Sequence, residues 1–284
     1  MYPREFEYVS ASSITEACQT LADNPGAKVM SGGMSLIPMM KLRLLSPELI
    51  VDIGGIDGLG SISDNGDHVS IGALVTHADV AGSSIVAEHA TALGQAASMT
   101  GDVQVRNRGT LCGAVAHADL AGDAPAAVIA LGATMVAQSV RGTREIAAAD
   151  FFVDTLTSAL EADEILTEIR VPKRAGSSAY DKLGRRGGQT DYAVAAVAAY
   201  VEMVDGAVAD CTVALTGVGT KPALAVGVME ALQGSSGDAA AIAAAASRAT
   251  EGVTLLEDLY GSEAYKGHLA EVFTRRAVAA AVAG

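Results

Sequence analysis

The chain contains no tryptophan, so any binding mode that stacks a ligand on an indole is excluded. Its three cysteines, Cys18, Cys112 and Cys211, lie far apart, with no C-x-x-C pair and no Cys/His cluster. An iron–sulfur or zinc centre of recognisable spacing is therefore excluded here, and any such centre belongs to another chain. The five histidines are scattered as surface or packing residues are, and only His117 has neighbours of interest. Positive charge is scarce. Nineteen Lys and Arg against 33 Asp and Glu leave a net charge of -14, with no dense basic run, and such a chain repels a phosphate backbone. Nucleic acid is excluded as a partner. The longest apolar stretches, residues 193–201 and 239–246, fall well short of the roughly 20 residues of a bilayer span, so no transmembrane segment is expected. Met1-Tyr2-Pro3-Arg4-Glu5 lacks the basic-then-apolar order of a secretory leader, and a cytoplasmic location is expected.

What is present is 284 residues, half of them apolar and dominated by small side chains, enough for one large core or a few smaller ones. Residues 6–9 read as a strand, Ser13 to Glu16 as a capping box opening a helix that Asn24-Pro25-Gly26 closes, and residues 28–30 and 49–53 as further strands. Residues 68–76 alternate as a strand, followed by one helix from His77 to about His89. A buried helix is expected over 126–131, strands over 134–139 and 164–171, and a linker over 173–178. Two apolar runs, 193–204 and 207–216, meet at Asp205-Gly206, the dipeptide favoured by a type I′ hairpin. Alanine-rich helices complete the chain.

Two loops share one design: small residues beside a strand let peptide N–H groups converge on an anion without side chains in the way. One is Ser31-Gly32-Gly33-Met34-Ser35-Leu36. The other, Thr110-Leu111-Cys112-Gly113-Ala114, is followed by Asp123, whose carboxylate suits sugar hydroxyls. Neither G-x-G-x-x-G nor G-x-x-x-x-G-K-[ST] occurs, so a Rossmann site and a P-loop are not supported. No nucleophile paired with a base and no carboxylate dyad is recognisable.

The segments 31–41 and 101–113 resemble the FAD-binding medium subunit of the carbon monoxide dehydrogenase and xanthine dehydrogenase family, the molybdenum hydroxylases. The resemblance covers essentially the whole chain and rests on two loop motifs, usually A-G-G-H-S-L and T-[IL]-G-G. It implies an α+β protein, with a two-subdomain FAD-binding fold of the vanillyl-alcohol-oxidase type over residues 1–175 (about 1–56 and 57–175). Residues 176–284 would form a C-terminal α+β domain with an antiparallel sheet and helices. It further implies FAD held by Ser31, Gly32, Gly33, Met34, Ser35, Leu36, Thr110, Leu111, Cys112, Gly113 and Ala114 around the pyrophosphate. Thr100 would lie beside the cofactor, Asp123 on its hydroxyls, and Leu166, Lys182 and Tyr192 at the flavin. Met34 stands where histidine is usual. Cys112 replaces a glycine, which requires a loop conformation open to an ordinary residue.

The implied partners are a small subunit with two [2Fe-2S] clusters and a large subunit with the molybdenum cofactor, assembled as a dimer of heterotrimers. The implied location is cytoplasmic, reaching the inner face of the membrane through an external acceptor such as a quinone. Residues 36–41 and 101–109 look closest to the carbon monoxide branch; nicotine, purine and other N-heterocycle hydroxylases have similar subunits. A self-contained flavin oxidase and a non-catalytic assembly protein are the competing classes.

Overall fold

The computed structural model of the protein describes residues 1–187 and 190–284. It begins with β1 (Glu7–Ser10), α1 (Ile14–Asp23), β2 (Lys28–Met30), α2 (Leu36–Lys41) and β3 (Leu49–Asp52). β3 lies between β1 and β2 and runs parallel to both. Ser13 caps α1 by accepting from the Glu16 amide at 3.1 Å, but the Glu16 carboxylate accepts from the Ser12 amide, so the expected capping box is half made.

A second layer follows. β4 (Ile62–Asp64) and β5 (His68–Gly72) lead into α3 (His77–Gly82), α4 (Ser84–His89), α5 (Thr91–Met99), α6 (Val103–Arg106), α7 (Leu111–His117) and α8 (Asp123–Ala130). After them come β6 (Thr134–Ser139), β7 (Gly142–Ala147), α9 (Ala148–Phe151), β8 (Phe152–Asp154), β9 (Thr157–Ser158) and β10 (Ile165–Pro172). The sheet order is β4-β5-β10-β6-β7, antiparallel throughout. The strand expected to reach Thr76 ends at Gly72, because Leu74 donates to Leu59 O instead of to a neighbouring strand. The single helix expected from His77 breaks at Ser83, which ends α3 and caps α4, its hydroxyl accepting from the Val86 amide.

The rest of the chain is an antiparallel sheet, β11 (Ser177–Gly184), β12 (Ala193–Val204), β13 (Ala207–Thr216) and β14 (Ala223–Leu224), with α10 (Val226–Leu232), α11 (Ala239–Ala246) and α12 (Glu263–Ala283). Asp205 and Gly206 take φ of 51° and 79°, as the expected hairpin requires. β12 is buried on both faces as far as Val201, with α5 and α8 on one side and α12 on the other, which is why its sequence reads as a continuous apolar run. Two cores result. One joins the first two sheets and extends to Tyr180, Ala196 and Ala198; the other lies between the last sheet and helices α10 to α12.

The stretch expected as a linker is clamped. Arg174 lies 3.5 Å from the Tyr200 ring centroid, and the Gly176 amide donates to the Tyr200 hydroxyl at 2.9 Å. Among the described residues no helix is long and apolar enough to cross a membrane, and no His/Cys/Asp/Glu group could hold a metal ion.

Candidate functional site

β2 delivers the first glycine loop to the edge of the second layer. Gly33 needs the left-handed region, at φ 72°, while Gly32 is required by proximity. A Cβ on Gly32 would lie 2.2 Å from Arg108 O and 2.9 Å from Gly109 Cα. The two loops therefore touch backbone to backbone, and a 2.9 Å hydrogen bond between Ser31 Oγ and Thr110 Oγ1 fastens them. A cleft of about 790 Å³ opens beside this seam. Its wall takes in the expected Ser31 to Leu36, Thr100, Thr110, Cys112, Gly113, Ala114, Asp123, Leu166 and Tyr192.

The second loop is not strand-borne as expected: residues 103–106 form α6, and Thr110 caps α7 by accepting from the Gly113 amide at 3.2 Å. Thr110 keeps only an isolated bridge to Thr76, with Leu111 N donating to Val75 O and His77 N to Gly109 O. A helix start accepts any L residue, and this resolves the anomaly of Cys112. The residue is absent from the left-handed region, is 2% exposed, and points its thiol at Ile71 O and Gly72 O, so that burial pushes its pKa up. Among the described residues, the amides of Gly32, Gly33, Met34 and Cys112 donate to no protein atom. Converging amides of this kind, with the positive end of α7 behind them, suit an anion such as a pyrophosphate.

Asp123 opens α8 and is 4% exposed. Its Oδ1 accepts from Lys182 Nζ at 2.6 Å and from the Tyr180 hydroxyl, the Thr100 hydroxyl faces the same carboxylate, and the residue lines the cleft. Burial pushes this carboxyl up, against the pull of Lys182 and Tyr180. Lys182 does not reach the cleft wall. Its ammonium spends its three N–H groups on Asp123, Met99 O at 2.9 Å and Asp191 O at 2.6 Å. Leu111 also lies behind the wall, fully buried in the first core. Leu166 sits where β10 carries a bulge, between Leu166 and Glu168, and the irregularity turns it toward the cleft.

His77 is the wall residue that the sequence did not single out. It is 2% exposed beneath Gly109, and its Nδ1 has no hydrogen-bond partner among the described residues. Burial, helped by Arg106, pulls its pKa down to about 4, so the ring is neutral at neutral pH. The signal was present in Thr76-His77-Ala78-Asp79, which forms a full capping box and pins His77 at the start of α3. His117 and Asp119 also line the cleft. Among the described residues no serine or cysteine of the wall is hydrogen-bonded to a histidine: the Ser31 hydroxyl meets Thr110 and the Cys112 thiol meets backbone carbonyls.

Residues 4–174 match a family model described as the FAD binding domain in molybdopterin dehydrogenase, and residues 178–281 one described as the CO dehydrogenase flavoprotein C-terminal domain. The nicotine 6-hydroxylase medium subunit of Paenarthrobacter nicotinovorans is 35% identical, with 95% of each chain covered. The glyceraldehyde dehydrogenase medium chain of Sulfolobus acidocaldarius is 37% identical over 98% of each chain. A solved structure of carbon monoxide dehydrogenase from Hydrogenophaga pseudoflava superposes with a TM-score of 0.95 at 39% identity, covering 100% of this chain and 99% of that one.

Proposed function

The chain belongs to the FAD-binding medium subunits of the molybdenum hydroxylases, and from that premise we propose that it is the electron outlet of a complex whose substrate is oxidised on another subunit. The observation that carries the reading is the cleft itself: two glycine loops in backbone-to-backbone contact, with amides that donate to no protein atom among the described residues, and a buried carboxylate in the same wall. Residues 1–175 serve as the FAD-binding domain and 176–284 as the C-terminal domain.

Bound FAD supplies the ability to accept electrons one at a time and to release one or two. In this reading the amides of Gly32 to Met34 and the first turn of α7 hold the pyrophosphate. Thr100 and Asp123, whose side chains meet in the wall, take cofactor hydroxyls, and Leu166 and Tyr192 flank the flavin ring. Lys182 and Leu111 act from behind: Lys182 fixes the Asp123 carboxylate, and Leu111 seats α7 on the core. His77 supports the cradle from below without adding charge.

The partners in this reading are a small iron–sulfur subunit and a large molybdenum subunit, paired as a dimer of heterotrimers. Electrons leave to an external acceptor such as a quinone, and the complex works in the cytoplasm. Carbon monoxide is the substrate favoured by residues 36–41 and 101–109; the similarity to nicotine and glyceraldehyde enzymes keeps those substrates as outcomes of the test.

The test is native purification followed by anaerobic addition of each substrate. The expected result is flavin, molybdenum and iron in one complex, with the flavin absorbance bleached by one substrate only when all subunits are present. A flavin-bearing monomer that turns over a substrate alone would replace this reading with a self-contained oxidase. A chain that takes up no FAD on soaking would replace it with an assembly protein.

A further inference from the structure

Tyr192 is the only tyrosine among the described residues that line the cleft, and it stands at the mouth with 40% of its surface exposed. Ser35 meets the hydroxyl of this ring from within the cleft, and Arg185 holds its face from outside. Its guanidinium carbon lies 5.1 Å from the centroid of the Tyr192 ring and 4.4 Å from that of Tyr260, within cation–π range of both. The Arg185 amide also donates to Tyr192 O at 2.9 Å, a second tie between the two residues.

This guanidinium is not a surface decoration. Its Nε is buried without a hydrogen-bond partner among the described residues, a position that disfavours a cation unless the ring faces offset the lost solvation. Asp191, the neighbour of Tyr192, is held as well. Asp191 occupies the left-handed region at φ 83°, held there by Lys182 Nζ on its carbonyl and by Arg186 Nε on its carboxylate at 2.9 Å. Tyr260, on the outer side, rides a short turn in which Asp258 and Gly261 exchange backbone hydrogen bonds and Asp258 Oδ1 accepts from the Tyr260 amide. The same Asp258 receives Lys266 Nζ at 2.8 Å, and Lys266 is 1% exposed on α12. A continuous set of contacts thus runs from the last helix to the mouth of the cleft.

We propose that Arg185 is a positioning residue: bridged to Tyr260 and anchored through Asp258 to α12, it holds Tyr192 as a fixed wall of the cleft. Its consequence for the cofactor rests on the reading of the cleft as a flavin site, whereas the bridge itself does not. A phenol ring held still against a flavin quenches the flavin's fluorescence; a loose one quenches it less.

The experiment uses the full chain as wild type, Arg185→Met, Arg185→Lys, Tyr260→Leu and Tyr192→Leu, with and without added FAD. Hydrogen exchange at the amide of residue 185 is the first readout. It rises about tenfold in Arg185→Met and in Tyr260→Leu while β12 and α12 keep their protection. Flavin fluorescence is the second. It rises severalfold in Arg185→Met, is partly restored in Arg185→Lys, where the charge remains without the planar stack, and gains nothing further when Arg185→Met is added to Tyr192→Leu. Unchanged exchange in both variants overturns the proposal. So does a fluorescence gain from Arg185→Met that survives undiminished in the Tyr192→Leu background, which would place the arginine itself on the cofactor. If the wild-type chain takes up no flavin, the reading of the cleft fails and the exchange result still decides the bridge.

Discussion

Gly32 has room for a hydrogen and nothing larger, since the atoms in the way belong to the backbone of Arg108 and Gly109 and cannot swing aside. Gly32→Ala is expected to push the loops apart, costing about 1–3 kcal/mol and lowering the flavin-to-protein ratio severalfold in visible absorbance. Gly26→Ala, with open space around it, is the control and keeps its flavin. His77 carries a different consequence. Its folded pKa of about 4 lies below the ordinary 6.5, so between those values the unfolded chain binds a proton that the folded chain refuses, and stability rises with pH. That stability is complete above pH 6.5 and is lost as pH falls through about 4. Urea unfolding at pH 7 and pH 5 should show wild type losing about 2 kcal/mol more than His77→Phe. Equal losses would mean that His77 is not the titrating group.

Among the elements, the hairpin of β12 and β13 offers the simplest test. An alanine at 206 meets no neighbour within 4 Å, so its whole cost is the left-handed backbone, about 1 kcal/mol in thermal or urea unfolding. This hairpin was legible in the sequence because its turn chemistry and apolar runs are local, and β6 and α12 were legible for the same reason. β11 was not, since its alternation is short and its burial is decided by β12 and α5. α7 read as a loop after a strand, because seven residues with a lone Thr cap give no helical periodicity. The cleft residues Ser31 to Leu36 could be read from their motif. The place of Lys182 could not, because its partners Asp123 and Met99 lie far back in the chain.

At the scale of the molecule, that same lysine fastens the last sheet to the first core, with Lys182 on β11 and Asp123 on α8, both almost wholly removed from solvent. Removing either partner alone strands a buried charge. Asp123→Asn and Lys182→Met are each expected to cost about 3–5 kcal/mol in urea unfolding, and the double variant Asp123→Leu/Lys182→Met less than their sum. Strict additivity would show that the two side chains act separately. The sheet order has a consequence in time as well as in space. β5 pairs with β10, as in Val69 with Val171, so the layer that carries the second glycine loop cannot close until roughly a hundred further residues have left the ribosome. Tyr192 emerges later still. The proposed cofactor site is therefore complete only once residues as distant as Ser31 and Tyr192 have both emerged and the layer between them has closed, so flavin uptake follows folding and does not accompany the early chain.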